Sequence, residues 1–170
     1  MPEEIVNKVA QSGIVTIDLE ELYPPGGRVL LDIKDRLFQG LILREKDFRE
    51  YVKNEDRSQY KDKYVAVTCS TDAIIPTWAY MLLSSALEPF AKKIVFGNLE
   101  TLETVLYNEI LSRLDLSPYR DARVVIKGCS NLPVPNSAYV ELTRLLRPLA
   151  KSIMYGEPCS TVPIYKQPKS

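Results

Sequence analysis

At 170 residues, 45% of them apolar and 26% charged, the chain has the size and make-up of one globular domain. Its 22 basic and 22 acidic residues cancel, so no global field draws it to nucleic acid or to an anionic membrane. The absence of histidine excludes Ser-His-Asp and Cys-His catalysis within the chain, and imidazole-held metal with them.

The first residues, Met1-Pro2-Glu3-Glu4, lack the basic start and apolar block of a signal peptide. No apolar run is long enough to span a bilayer, and a cytoplasmic protein is the expectation. Residues 3–11 predict a short helix carrying Ile5, Val6 and Val9, ended at Gly13. Ile14 to Leu19 alternates Ile/Val with Thr/Asp, a strand signal. Pro24-Pro25-Gly26-Gly27 reads as a turn before a second strand, Val29 to Ile33. The two predict an N-terminal hairpin or an addition to the edge of a larger sheet. Leu37 to Leu43 fits strand or helix, and Glu45 to Asn54 predicts a helix with Phe48, Tyr51 and Val52 on one face.

From Tyr64 strand and helix alternate. Val65 to Thr68 is a strand, and Pro76 suits the start of a mostly apolar helix running through Phe90. Trp78 and Tyr80 on it read as core and core margin. Ile94 to Gly97 is the next strand. Asn98 then caps a helix over 99–115, with Glu100 and Glu103 near the positive end of its dipole. Val124 to Ile126 is a third strand, followed by a helix over about 136–154 with a kink at Pro148. Residues 156–170 are Pro-rich and without periodicity. The alternation predicts an α/β fold, a three-layer sandwich with a mainly parallel central sheet. The single domain divides into N-terminal strands and helix (1–63), an alternating core (64–155) and a tail (156–170). No repeat of 20–50 residues is apparent beyond a short cysteine signature.

That signature is the sharpest feature. Cys69-Ser70-Thr71, Cys129-Ser130-Asn131 and Cys159-Ser160-Thr161 contain all three cysteines, each with a proline close behind. Three is an odd number, so a disulfide framework cannot use them all, and a reducing cytosol disfavours one. Cys69 and Cys129 each follow a strand, which places both at the carboxyl edge of a parallel sheet, where ligands bind in open α/β folds. A helix over 136–154, about 28 Å long, carries the chain to the far edge, and the five residues to Cys159 span at most about 18 Å. Cys159 then joins the other two only if that helix lies obliquely or the tail reaches a second subunit, making a homo-oligomer.

Three thiolates without histidine suit zinc or an iron–sulfur cluster, with Asp72, Glu157, water or a substrate at the open position. Ser70, Thr71, Ser130 and Ser160 are candidate hydrogen-bond donors to sulfur. The alternatives are a thiol enzyme, with Cys129 or Cys69 as nucleophile and Lys127 favouring the thiolate, or a non-catalytic interaction module. Asp72 works against the enzyme, since a carboxylate raises a neighbouring thiol's pKa. The bland readings are buried inert thiols for the cysteines, helix-cap chemistry for Ser70, Thr71 and Pro76, and turns for Gly97 and Gly128. No Gly-x-Gly-x-x-Gly is present to indicate a dinucleotide.

Four stretches carry a resemblance: Leu43 to Arg49, Cys69 to Tyr80, Lys127 to Ser130, and Tyr155 to Pro163. Through them, and from Asp18-Leu19 to the tail, the chain resembles a bacterial family known as domain of unknown function 2480. The resemblance implies genes beside those for iron–sulfur cluster assembly. It therefore implies an accessory role in cluster or sulfur handling, with iron–sulfur assembly proteins as partners. It brings no established activity or site residue.

Overall fold

The computed structural model describes residues 13–128, 131–157 and 160–170. The helix expected over 3–11 lies outside them. Strands β1 (Ile14–Ile17), β2 (Arg28–Asp32), β3 (Tyr64–Thr68), β4 (Lys93–Phe96), β5 (Arg123–Ile126), β6 (Ser152–Glu157) and β7 (Ser160–Lys166) accompany four α-helices. These are α1 (Glu45–Asn54), α2 (Thr77–Leu87), α3 (Leu99–Ser112) and α4 (Asn136–Leu146). The fold is α/β, as expected, but its strands form two sheets, β2-β3-β4 and β1-β5-β6-β7. All pairings are parallel except β6 with β7.

This topology decides two expectations. β1 and β2 make no hairpin, and the alternative, addition at a sheet edge, holds for both. Each is the edge strand of its own sheet, β1 beside β5 and β2 beside β3. The run from 64 to 155 does not share one sheet, because β5 leaves β3 and β4 to pair with β1. Local pattern marks a strand but not its neighbour; that choice is made by burial across the whole unit.

The chain divides into two compact units, Pro25–Val105 and Met1–Pro24 with Leu106–Ser170. The break at Pro24/Pro25 falls in the stretch that reads as a turn, and the second break falls inside α3.

In the unit 25–105, β3 is the central strand, and Tyr64 to Val67 are all buried. That continuous apolar run is the pattern of a strand covered on both faces. Phe48 and Val52 of α1 and Ala79, Leu83 and Leu87 of α2 pack with Val65 and Val67 in one cluster. Asn98 caps α3, its side-chain oxygen accepting from the Thr101 amide at 2.9 Å. Glu103, expected to serve the helix dipole, is instead 4% exposed and paired with Arg28, Nε to Oε1 2.6 Å.

In the other unit, β5 is central, and Val124 and Ile126 pack with Ala138, Leu142 and Leu146 of α4. The Tyr107 phenol donates to the Leu19 carbonyl at 2.8 Å, tying α3 to the turn after β1. α4 ends at Leu146, not near 154. Pro148 follows the Arg147 cap and kinks nothing, as Pro89 follows the Glu88 cap of α2. The residues read as its last turns form β6, and the tail read as aperiodic forms β7. β7 pairs antiparallel with β6 through an irregularity between Ile153 and Met154, where Pro163 faces Met154.

The two units share a plan, and the chain shows it at an offset of 59 residues, beyond the range in which repeats were sought. Tyr60, Asp62, Val65, Pro76, Ala79, Tyr80, Leu83, Leu87, Pro89, Ala91 and Gly97 recur as Tyr119, Asp121, Val124, Pro135, Ala138, Tyr139, Leu142, Leu146, Pro148, Ala150 and Gly156. Structure follows sequence. Asp62 and Asp121 both take positive φ, 58° and 55°. Their amides donate to the carbonyls of Phe90 and Leu149, each the residue after the proline. The T-shaped ring pair Tyr80–Phe96 recurs as Tyr139–Tyr155. The edge strands repeat at a shorter offset: Asp18 and Asp32 cap the turns after β1 and β2, with Leu19 and Ile33 fully buried behind them.

Candidate functional site

Each sheet ends its parallel strands at a carboxyl edge, and in each unit a carboxylate from the turn after the edge strand holds the loop after the central strand. In the unit 25–105 it is Asp32. Oδ1 accepts from the amides of Lys34 and Ser70, both at 3.1 Å, and Oδ2 from the Ser70 hydroxyl at 2.5 Å. Burial pushes this carboxyl up, but the Ser70 hydroxyl, the two amides and the Lys34 charge outweigh it. Asp32 is held below its ordinary value. Ser70 is thus committed to Asp32, not to sulfur. The half-buried Cys69 packs against the apolar cluster of its unit, with its thiol 3.9 Å from the Thr71 carbonyl. Asp72 is exposed. The Tyr80 phenol is raised by burial first and then by Cys69 and Asp32.

In the other unit the carboxylate is Glu20, whose Oε1 accepts from the amides of Asn131 and Leu132, the second at 2.6 Å. Lys127 donates its amide to the Ile17 carbonyl at 2.9 Å, and its ammonium lies 3.7 Å from Asp18. The Lys127 charge therefore already has an acidic neighbour.

Cys129, Ser130 and Cys159 lie outside the described residues. Their described neighbours do not lie apart. β5 and β6 run parallel with Ile126 opposite Tyr155, and the Tyr155 phenol donates to the Gly128 carbonyl at 3.1 Å. A Cβ on Gly128 would meet the Tyr155 ring at 2.7 Å, so the close approach requires glycine. Glu157 at the end of β6 pairs in register with Ser160. The last helix carries the chain away from the carboxyl edge as expected, but it ends early enough for a strand to bring the chain back. α4 goes out, β6 comes back, and the tail from Ser160 pairs with its own chain. Among the described residues no group of three or more Cys, Asp or Glu is placed to hold a metal ion.

The 59-residue plan also reinterprets the cysteine signature. At that offset Cys69 matches Gly128, and Cys129 matches Ser70, one position out of step. Cys159 matches Glu100. The three Cys-Ser pairs are therefore not one position repeated. Sequence reasoning missed Asp32, Asp18, Glu20 and Tyr155. The signal for the two aspartates was available in the pair Ile17-Asp18-Leu19 and Leu31-Asp32-Ile33.

A family described as "Protein of unknown function (DUF2480)" matches residues 3–167. No curated protein and no solved structure matches the chain.

Proposed function

We propose that this chain, which belongs to the DUF2480 family, is a cytoplasmic accessory protein of iron–sulfur cluster assembly. In this reading it holds a soft metal ion or cluster through Cys129 and Cys159, with the assembly proteins as its partners. One observation carries the reading: the Tyr155 phenol bonded to the Gly128 carbonyl at 3.1 Å. It ties the residue before Cys129 to the strand that leads toward Cys159. Thiolates are donors of the kind zinc and iron–sulfur clusters take. Glu157 and Ser160, paired where β6 meets β7, are the nearest described oxygen donors in sequence. Cys69, packed on the apolar cluster of the other unit, is the conditional third ligand. The described residues contain no helix long and apolar enough to cross a membrane.

The test is anaerobic purification with analysis for iron, zinc and acid-labile sulfide, before and after reconstitution. Wild type and each single Cys→Ser variant are compared. Bound metal or cluster that falls at least tenfold in Cys129→Ser and in Cys159→Ser supports the pair. Retention in Cys69→Ser limits the site to two thiols, and loss there extends it to three. Wild type free of metal after reconstitution overturns the reading. One thiol alkylating far faster than the other two at neutral pH then points to the thiol enzyme instead.

A further inference from the structure

The sheet β1-β5-β6-β7 has two faces, and only one packs on α4. Val15, Val124, Ile153 and Tyr165 form a cross-strand row on the packed face. One residue earlier along the parallel strands, Ile14, Arg123, Ser152 and Lys166 are direct register partners in a row on the opposite face. This second row borders a cavity of about 840 Å³ at the amino end of the parallel strands, whose described lining residues all belong to this unit. Its apolar lining includes Ile14, Met154, Pro163 and Pro168. Arg123, Lys151, Lys166 and Lys169 also line it, and among the described residues no aspartate or glutamate does. All four cations are exposed, in a chain whose charges sum to zero as a whole.

We infer that this cavity is a binding site for a phosphorylated small molecule of nucleotide size. Volume and chemistry both select that class. Small-molecule sites run to roughly 300–1,000 Å³ with a mostly apolar lining and a few polar groups that fix orientation. Here the charged groups are Arg123 and three lysines, beside the neutral polar Ser152, Gln167 and Ser170, and Arg123 offers the planar fork that matches phosphate oxygens two at a time. Strand spacing separates Arg123 from Lys166 by two strands, roughly 10 Å at the backbone, a span over which their side chains can hold neighbouring groups of a polyphosphate. Met154, Pro163 and Pro168 offer apolar surface to the rest of the ligand. The site lies at the opposite end of the parallel strands from Gly128 and Glu157, and it stands whether or not the cysteines hold metal.

Isothermal titration of the full chain compares ATP, as a probe with both a planar body and a polyphosphate, with inorganic pyrophosphate. Saturable 1:1 binding of ATP at least tenfold tighter than pyrophosphate is expected, weakening as salt rises from 50 to 300 mM. An Arg123→Gln, Lys166→Gln double variant should lose at least tenfold in ATP affinity while keeping the wild-type circular dichroism spectrum. Lys151→Gln, outside the strands, gives a second and smaller loss if the double variant misfolds. No saturable binding of ATP at millimolar concentration overturns the inference. So does equal binding of the two probes, or affinity unchanged in both variants.

Discussion

Burying Arg28 against Glu103 takes two charges out of water, and the cost is repaid only while both partners are present. Arg28 is held by Glu103 at 2.6 Å, donates to the Gly26 carbonyl at 2.7 Å and lies over the Tyr64 ring. Glu103→Ala leaves a guanidinium with little access to solvent and should cost about 3–5 kcal/mol in urea unfolding. A loss under about 1 kcal/mol, the range of surface pairs, contradicts the burial argument. Asp32 acts in the opposite regime, as a clamp near water. Its carboxyl titrates lower in the folded than in the unfolded chain. The stability it contributes is therefore complete above the unfolded value and is lost as pH falls through the folded one. Between about pH 5 and pH 3 the wild type should lose more stability than Asp32→Asn, read from urea midpoints. Parallel curves for the two proteins would remove the clamp from the account.

At the level of elements, the same helix is built twice. Leu83 of α2 and Leu142 of α4 are 3% and 0% exposed at matching positions. Leu83→Ala and Leu142→Ala should each cost about 2–5 kcal/mol, with values close to one another. A cost below about 1 kcal/mol at either site shows that its helix does not seat as described. Helices were the legible part of the chain. Apolar spacing in 45–54 and 77–87 and the Asn98 cap are local signals, and the structure places α1, α2 and α3 there. Strand neighbours were not legible, because Val124-Val125-Ile126 reads the same beside β1 as beside β4. The last 25 residues misled for a related reason. Leu149 and Ile153 continue the helical spacing of α4, but Pro148 stops the helix and Gly156 takes φ 124°, which belongs to the hairpin. The cysteine edge was half legible. That Cys129 follows a strand was readable, whereas the return of the chain toward Cys159 depends on β6, which the periodicity hid.

For the molecule as a whole, the question is whether two like units melt together. The 170-residue sequence reads as one domain, whereas the structure divides into two compact units with the second break inside α3, between Val105 and Leu106. We expect one transition in urea, with Trp78 fluorescence, which reports the unit 25–105, coinciding with far-UV circular dichroism. Leu142→Ala, in the other unit, should move the Trp78 transition as far as it moves the helical signal. Two separate midpoints would make the units independent domains.

The pairing of Pro163 with Met154 bears on the molecule's behaviour at high concentration. β7 is an outer strand, and outer strands template aggregation by offering a row of unpaired amides to a neighbouring chain. Pro163 contributes no amide, and it sits at the irregularity in the β6 pairing, between Val162 and Ile164, whose side chains are 57% and 50% exposed. A Val-Pro-Ile segment is thus a strand that can join its own sheet and not extend it. Pro163→Thr keeps the strand's shape and restores the amide. Its light scattering should rise with time and concentration at temperatures where the wild type stays clear, with no matching loss of unfolding free energy.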